Sequence, residues 1–321
     1  MSSLTETARA ASSFAIIYNT AKNDGGFNEN AVQGAARFSK ETGIDVREQV
    51  AGTPDDVTRA LRTFANHGIT DILVMGFINE AAVAAAAHDF PQVHFTLIDG
   101  VVDLPNVRSV LFQEDQAAYL VGVAAALASQ TGKVGFIGGL AIPPIRRFEC
   151  GFVQGVHATR PQTVVLRHYL GTDSSVFRNR PLGVSAGTEM LQQGVDVVFA
   201  AAGFAGNGVL DAAASAGKLG IGVDTNQDDL HPGSVLTSAL KRVDVAVYSS
   251  LKDAADDKWS AGVKRLTLAD QGIGWSRDQN NEKLVAGLSD AVDKAAAAIA
   301  AGSITVIDYE NEPLCKLDAA P

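Results

Sequence analysis

Three side chains of the kind that binds small molecules stand where predicted strands end. Phe204 follows one apolar run within a glycine-rich turn, Asp224 ends the next run, and Lys241 comes after a third. A carboxylate can accept two hydroxyl hydrogen bonds, which suits a ribose or another diol, and an aromatic ring can stack on a flat ligand. These side chains could also have structural roles, in which Phe204 covers the core of its lobe and Lys241 is a solvated surface residue. The pattern indicates a small-molecule site without an obvious catalytic group.

A second polar and aromatic group follows the first predicted strand. Asn19 ends that strand, and Asp24, Phe27 and Asn28 flank two glycines just before a predicted helix. Asp24 and Asn28 could contact a ligand while Phe27 offers a face to an aromatic ring. Alternatively, Asp24 or Asn28 caps the helix and Phe27 packs into the sheet. Spacing alone favours the capping role.

The sequence contains no convincing motif for hydrolysis, metal binding or nucleotide-cofactor binding. Residues 183–187 match the GxSxG pattern of a hydrolase, but an apolar strand must precede that motif, and residues 177–181 read FRNRP. We therefore expect Ser185 in the first turn of a helix and no nucleophile. The six histidines form no HxH or HExxH pattern, and neither GxGxxG nor GxxxxGK[ST] occurs, so we expect no metal and no nucleotide cofactor.

Composition limits the class of protein. A chain of 321 residues is long enough for two domains, and its formal net charge of −10 argues against nucleic-acid binding, which depends on clustered Lys and Arg. No apolar run approaches the roughly 20 residues that span a bilayer. The first dozen residues lack the apolar core of a secretory signal, so the protein is cytosolic or a signal has been removed. Cys150 and Cys315 could pair or remain thiols, and the sequence leaves both open.

The elements that position these side chains alternate between short apolar runs and alanine-rich stretches of helical length, which indicates parallel βαβ units. Two successive series predict two α/β lobes of similar size. The strands are expected at 14–19, 45–50, 71–74, 94–98, 107–112, 133–137, 164–169, 197–202, 220–224 and 235–239. The main helices are expected at 27–42, 54–66, 79–89, 115–129 and 145–160.

The last 80 residues contain too few strands for a third lobe, so we expect them to complete the first two. The repeated crossings would form a hinge, and hinged lobes close around ligands. In this part helices are expected at 243–261 and 281–301, an extended segment at 263–274 and a strand at 304–309. The predicted division places residues 1–112 and 241–270 in lobe 1 and residues 113–240 and 271–321 in lobe 2.

A series of short motifs resembles the basic membrane protein family, which comprises substrate-binding proteins of ABC transporters similar to purine nucleoside receptor lipoproteins. Each motif is weak alone, but their order and spacing from residue 13 to 307 are specific. The motifs are DGGFN at 24–28, FQE at 112–114, AYLVG at 118–122, TGKVGFIGG at 131–139, GF at 151–152, GVDVVF at 194–199, GNGV at 206–209, VD at 223–224 and TS at 237–238.

The resemblance implies a type I periplasmic-binding-protein fold, an α/β fold of two parallel-sheet lobes joined by a three-segment hinge, with the ligand between the lobes. It implies that a nucleoside base lies between Phe27 and Phe204, and that Asp224 and Lys241 hold the ribose. The base-edge contacts would come from Asn19, Asp24 and Asn28, with Glu114 or Gln113 at the crossover. One departure stands out, because Gly25-Gly26 replaces the basic residue and serine of the family motif.

The resemblance therefore implies a non-catalytic binding protein that delivers a nucleoside to an ABC permease. The expected ligand is a purine nucleoside such as adenosine, guanosine or inosine, and the expected form is a monomer without a cofactor. A periplasmic or cell-surface location follows by analogy, although the family's lipid-anchoring cysteine has no counterpart at the start of this sequence. The alternatives are a nucleoside-processing hydrolase and a ligand-sensing receptor lobe.

Overall fold

The structure, a computed structural model, describes residues 13–315 and contains two six-stranded sheets with helices between the strands. No helix within this range is both long enough and apolar enough to cross a membrane. The strands are β1 (Phe14–Tyr18), β2 (Val46–Val50), β3 (Asp71–Met75), β4 (His94–Ile98), β5 (Val107–Phe112), β6 (Lys133–Gly138), β7 (Val164–Tyr169), β8 (Val197–Ala201), β9 (Leu219–Asp224), β10 (Val235–Lys241), β11 (Gly262–Leu266) and β12 (Ile273–Trp275). The helices are α1 (Phe27–Thr42), α2 (Pro54–Asn66), α3 (Glu80–Asp89), α4 (Glu114–Ala128), α5 (Pro143–Thr159), α6 (Arg180–Gln192), α7 (Phe204–Ser215), α8 (Val243–Ala255), α9 (Glu282–Val285) and α10 (Ser289–Ala300).

The first sheet has the strand order β11-β5-β4-β3-β1-β2, and β1 to β5 pair in parallel. Helix α2 shows how the connecting helices form. The side chain of Thr53 accepts the N–H of Asp56 and caps the helix. Val57, Ala60 and Leu61 then recur at helical spacing and pack into the core over the sheet. Strands β1 and β3 are buried along their whole length, as expected in a parallel sheet covered by helices.

The second sheet has the order β12-β10-β9-β8-β6-β7, and only β12 runs antiparallel to its neighbour. Its central strand order repeats that of the first sheet, so the prediction of two parallel-sheet lobes of one architecture is confirmed. Strands β11 and β12 come from the last 80 residues and join the first and second sheets respectively. The expectation that this part of the chain completes the two lobes is therefore also confirmed.

The described chain divides into two compact units. The first unit runs to Ala21 and continues through Gln33–Val110 and Val247–Lys264, and the second comprises Lys22–Val32, Leu111–Ala246 and the described residues from Arg265 onward. Residues 22–32 and 241–246 thus group with the second unit, whereas the predicted lobes placed both in lobe 1. The lobe boundaries remain a prediction, since compactness does not define which segments move together.

Four sequence predictions near the end of the chain differ from the structure. The helix expected at 243–261 ends at Ala255, and the extended segment expected at 263–274 forms two strands, β11 and β12, which are separated by a turn and belong to different sheets. The helix expected at 281–301 is interrupted, because α9 ends at Val285 and α10 begins at Ser289, with Gly287 in the break. Residues 304–309 form no strand. The side-chain amide of Gln154 instead accepts the N–H of Ile307 and donates to its carbonyl, so one side chain occupies the backbone groups that a strand neighbour would use.

The end of the described chain, residues 303–315, is attached to α5 and is here called the strap. Besides the Gln154 hydrogen bonds, Arg146 donates to the carbonyl of Cys315 and lies 4.7 Å from the ring centre of Tyr309. Cys315 forms a disulfide with Cys150 of α5, across 165 residues of sequence. This pairing settles the question that the sequence left open.

Replacing both cysteines by serine should lower the free energy of unfolding by about 2–4 kcal/mol, because the bridge restricts the unfolded chain. Urea unfolding measures this loss. Amide exchange of the strap should accelerate in the same variant, since Cys315 then no longer anchors it to Cys150. Unchanged exchange within the strap would contradict the anchoring role of the disulfide.

Candidate functional site

The second unit brings three of the predicted site residues to one edge of its sheet. Strands β8, β9 and β10 are adjacent and parallel, so their carboxyl ends meet there. Gly203, at φ +57°, turns the chain from β8 into α7, and Phe204 is the first residue of that helix. Asp224 ends β9 opposite Leu240 of β10, which places Lys241 one residue further along the same edge.

Asp224 has a left-handed backbone, with φ at +67°. Side chains other than glycine, asparagine and aspartate rarely adopt this conformation, which costs of order 1 kcal/mol or more. The Asn30 side chain of α1 donates to the carbonyl of Asp224 at 3.3 Å and to that of Lys241 at 3.5 Å, and so joins the two strand ends. A Cβ atom added to Gly26 would lie 3.7 Å from Asp224 Oδ2, so the loop before α1 lies against this carboxylate.

Lys241 is held in a buried charge network. It is 2% exposed, and its ammonium lies 3.0 Å from Glu114 Oε1, 5.4 Å from the ring centre of Phe27 and 4.9 Å from that of Phe112. Glu114 is fully buried and also accepts from Arg147 Nε at 2.6 Å. Burial alone would raise the pKa of Glu114, but the two cations outweigh it and hold this pKa below its usual range. The carboxylate predicted to contact a ligand therefore binds Lys241 and Arg147.

The neighbouring carboxyl group behaves in the opposite way. Asp115 is buried, and this burial together with the charge of Glu114 raises its pKa to about 7. The pKa values of these two adjacent acids on α4 shift in opposite directions, because Arg147 and Lys241 both form ion pairs with Glu114. The site edge therefore carries one firmly ionised buried carboxylate.

Asp24 and Asn28 adopt the capping arrangement that spacing had favoured. The carboxylate of Asp24 accepts the N–H groups of Gly26, Asn28 and Glu29 at the start of α1, and also the side-chain amide of Asn28 at 2.9 Å. Asn19 belongs to the first unit, where its side chain faces Gly76. The structure thus groups Asp24, Phe27 and Asn28 with Asp224 in the second unit, whereas Asn19 belongs to the first unit and stays a predicted ligand residue.

The two predicted stacking rings occupy equivalent places, each at the first residue of a helix. Phe27 opens α1 and is half-buried, and Phe204 opens α7 and is 36% exposed. The guanidinium of Arg180 lies 5.7 Å from the ring centre of Phe204 and is held by two hydrogen bonds to Asp211. Phe204 therefore retains accessible ring surface beside a fixed cation.

Several residues of this edge were missed by sequence reasoning. Asp228 is 0% exposed, and its carboxylate accepts hydrogen bonds from the side chains of Ser238, Ser276 and Asn281. The buried amide of Gln227 precedes it. Hydroxyl and amide donors far apart in sequence create these environments, so the acid-rich run at 224–229 carried no signal for them.

Asp228→Asn should change the pH dependence of stability. Burial raises the pKa of Asp228 to about 6, whereas an unfolded aspartate titrates near pKa 3.9. Between these values the folded protein holds a proton that the unfolded chain has released, so the free energy of unfolding falls as the pH rises. Relative to the Asn variant, the wild type should lose about 2 kcal/mol between pH 4 and pH 6, because the slope reaches its limit of roughly 1.4 kcal/mol per pH unit only between the two pKa values. Urea unfolding at each pH measures this, and a constant difference would contradict it.

The GxSxG match has a packing explanation. Ser185 lies within α6, one turn later than predicted, and its hydroxyl donates to exposed Glu189. A Cβ atom at Gly183 would collide with the carbonyl of Ala205, and one at Gly187 would lie 3.1 Å from Ala212 Cβ. These glycines let α6 and α7 pack closely. Over residues 13–315 the structure also contains no cluster of His, Cys, Asp and Glu suited to a metal ion.

The fold and this strand-end edge define the class of protein. Two lobes of mostly parallel strands in this order form the type I fold of periplasmic binding proteins. A crystal structure of an ABC transporter solute-binding protein from Aeropyrum pernix K1 superposes with a TM-score of 0.81 at 27% identity, and the match covers 92% of this chain and 93% of that chain.

The family follows from the sequence matches. Residues 11–302 match the Bmp family, described as ABC transporter substrate-binding protein PnrA-like. The chain is similar to the ABC transporter nucleoside-binding protein BmpA of Lactococcus lactis, at 31% identity over 88% of this chain and 85% of that protein. It is also similar to an uncharacterized lipoprotein of Pyrococcus furiosus, at 32% identity over 80% of this chain and 68% of that protein. The chain belongs to the Bmp family of ABC transporter substrate-binding proteins, which implies a small-molecule ligand and a transporter partner.

Proposed function

We propose that this protein binds a purine nucleoside and delivers it to an ABC permease without changing it chemically. The observation that carries the proposal is the position of Asp224 and Lys241 at adjacent strand ends, with the Phe27 loop against Asp224. A carboxylate that accepts two hydroxyl groups, beside a buried ammonium, suits the 2′- and 3′-hydroxyls of a ribose. The half-exposed ring of Phe204 offers stacking for a base. The name of the Lactococcus lactis relative supports the same ligand class.

The ligand is tested by calorimetric titration with adenosine, guanosine, inosine, adenine and ribose. We expect nucleosides to bind at least 100-fold more tightly than adenine or ribose alone, because only a nucleoside uses both the ring and the diol contacts. Phe204→Ala should weaken nucleoside binding at least fivefold, since stacking alone contributes about 1 kcal/mol beyond the buried area. Phe90→Ala, in the first unit, is the matched control. Equal binding of ribose and adenosine, or wild-type affinity in Phe204→Ala, would refute the assignment.

The proposal excludes nucleoside cleavage, which was the enzymatic alternative. Prolonged incubation with adenosine, followed by chromatography, should return the nucleoside without free adenine. Appearance of free base in proportion to protein concentration would replace a transport role with a hydrolase.

We further propose that the protein is a monomer outside the cytoplasm, at the cell surface or in the periplasm. The disulfide between Cys150 and Cys315 supports this location, since disulfides persist in oxidising compartments. A relative named as a lipoprotein supports it as well. Fractionation of cells that express the natural gene tests the location, and light scattering tests the monomer. Recovery in the cytosol with reduced cysteines would contradict the proposed location.

A further inference from the structure

One buried glutamine forms hydrogen bonds to the segments that carry Phe27 and Phe204. Gln227 is 4% exposed, and its side-chain Nε2 donates to the carbonyl of Gly25 at 3.0 Å and to Asn207 Oδ1 at 3.0 Å. Its Oε1 accepts the N–H of Val223 at 2.9 Å. The amide therefore connects three segments, which are the loop before α1, the first turn of α7 and residue Val223 of β9.

The orientation of this amide follows from its backbone partners. A backbone carbonyl can only accept and a backbone N–H can only donate, so Gly25 and Val223 fix which end of the Gln227 amide carries nitrogen. The backbone of Gln227 is fixed as well, because its N–H donates to Ser238, whose hydroxyl donates to the buried carboxylate of Asp228. Chains of buried hydrogen bonds of this kind hold a unique arrangement.

Each partner of Gln227 lies next to a proposed ligand residue. Gly25 is two residues before Phe27, Asn207 is three residues after Phe204, and Val223 immediately precedes Asp224. Gly25 has φ at +68°, and a Cβ atom added there would lie 3.2 Å from Asn207 Nδ2, so loop and helix are also in close contact. A shift of the Gln227 amide would therefore change the spacing of the two rings and the carboxylate together.

We propose that Gln227 is the positioning residue of the nucleoside site. Its amide holds the loop at residues 24–28 against α7 and β9, so Phe27, Phe204 and Asp224 are arranged before the ligand arrives. Arranging these groups in advance lowers the ordering cost of binding. This inference rests on the proposed nucleoside function for its binding arm, whereas the order of the loop is independent of any ligand.

The first test uses Gln227→Met, which keeps the volume and removes all three side-chain hydrogen bonds. We expect amide exchange of residues 25–29 in the ligand-free protein to accelerate at least tenfold, and adenosine affinity to fall at least tenfold. Gln154→Met is the matched control, because Gln154 also bonds a backbone N–H and carbonyl of the second unit, but in the strap. It should change neither quantity more than twofold. Exchange of residues 25–29 within twofold of wild type in Gln227→Met would overturn the proposal.

A second variant separates positioning from general destabilisation. Gln227→Glu keeps an acceptor for Val223 but, when ionised, has no donor for Gly25. Burial raises the pKa of a glutamate above its usual value near 4.3. At low pH the side chain is therefore protonated and can donate a hydrogen bond to Gly25 again. The ratio of wild-type to variant adenosine affinity should therefore be at least threefold smaller at pH 5 than at pH 7.5. A constant ratio would overturn the donor role. Failure of the wild type to bind any nucleoside would refute the proposed function alone, because the exchange measurement still decides the positioning role.

Discussion

Asp224→Gly should abolish most nucleoside binding while leaving the protein folded. The wild-type aspartate has φ at +67°, which glycine adopts without steric cost, so the substitution puts no strain on the backbone. The same substitution removes the charged acceptor that we propose receives hydrogen bonds from two ribose hydroxyls. At about 1.5–3 kcal/mol each, their loss weakens binding at least 100-fold. Calorimetric titration and urea unfolding measure the two effects separately.

Asp224→Asn is the matched control, because asparagine tolerates the left-handed backbone and retains one oxygen acceptor. Its affinity should lie between those of the wild type and the glycine variant, at unchanged stability. A glycine variant that binds adenosine within threefold of wild type would show that Asp224 is not a ligand residue. A glycine variant that loses much of its stability would instead show that the carboxylate maintains the fold.

The buried charge network predicts a large loss of stability for Glu114→Gln. This substitution leaves the Lys241 ammonium and the Arg147 guanidinium buried without their shared carboxylate. Breaking a buried ion pair from one side costs about 3–5 kcal/mol. Because the pKa of Glu114 is depressed in the folded protein, its contribution is present above the unfolded pKa near 4.3 and is lost as the pH falls through the depressed value. The destabilisation should therefore be large at pH 7 in urea unfolding and should shrink in acid.

Lys241→Met separates the contribution of this charge network to stability from its contribution to ligand binding. It retains the pair of Glu114 with Arg147, so it should cost less than half of the stability lost in Glu114→Gln. Nucleoside affinity should nevertheless fall at least tenfold, since the substitution removes the ammonium that we propose for the ribose contact at the strand end next to that of Asp224. Equal stability losses in the two variants would contradict the arrangement in which Glu114 neutralises both cations.

The fold was predictable from the sequence because βαβ alternation is local. The expected bounds of β4, β5 and β7 agree residue for residue with the structure, and so do those of α1 and α2. The break at Gly287 and the strap were not predictable, because residues 304–309 have the apolar alternation of a strand but find Gln154 in place of a strand neighbour. Pairing of Cys150 with Cys315 likewise depends on a long-range approach that spacing does not encode.

The strand-end residues of the candidate site could be predicted from the sequence, whereas the buried residues around them could not. Phe204, Asp224 and Lys241 follow three neighbouring parallel strands, and parallel topology alone brings such positions together. Gln227 and Asp228 differ, because polar residues after a strand usually lie in solvent. Their burial depends on partners such as Ser276 and Asn281 that are about 50 residues away in sequence.

Native mass spectrometry tests the central proposal most directly. The protein is incubated with an equimolar mixture of adenosine, guanosine, inosine, adenine and ribose, and the mass of the complex is recorded before and after gentle activation. We expect one intact nucleoside per chain in the wild type and a strongly reduced adduct in Asp224→Gly. A wild-type complex with ribose or adenine alone, or no adduct at all, would contradict the assignment of this protein as a nucleoside-binding protein.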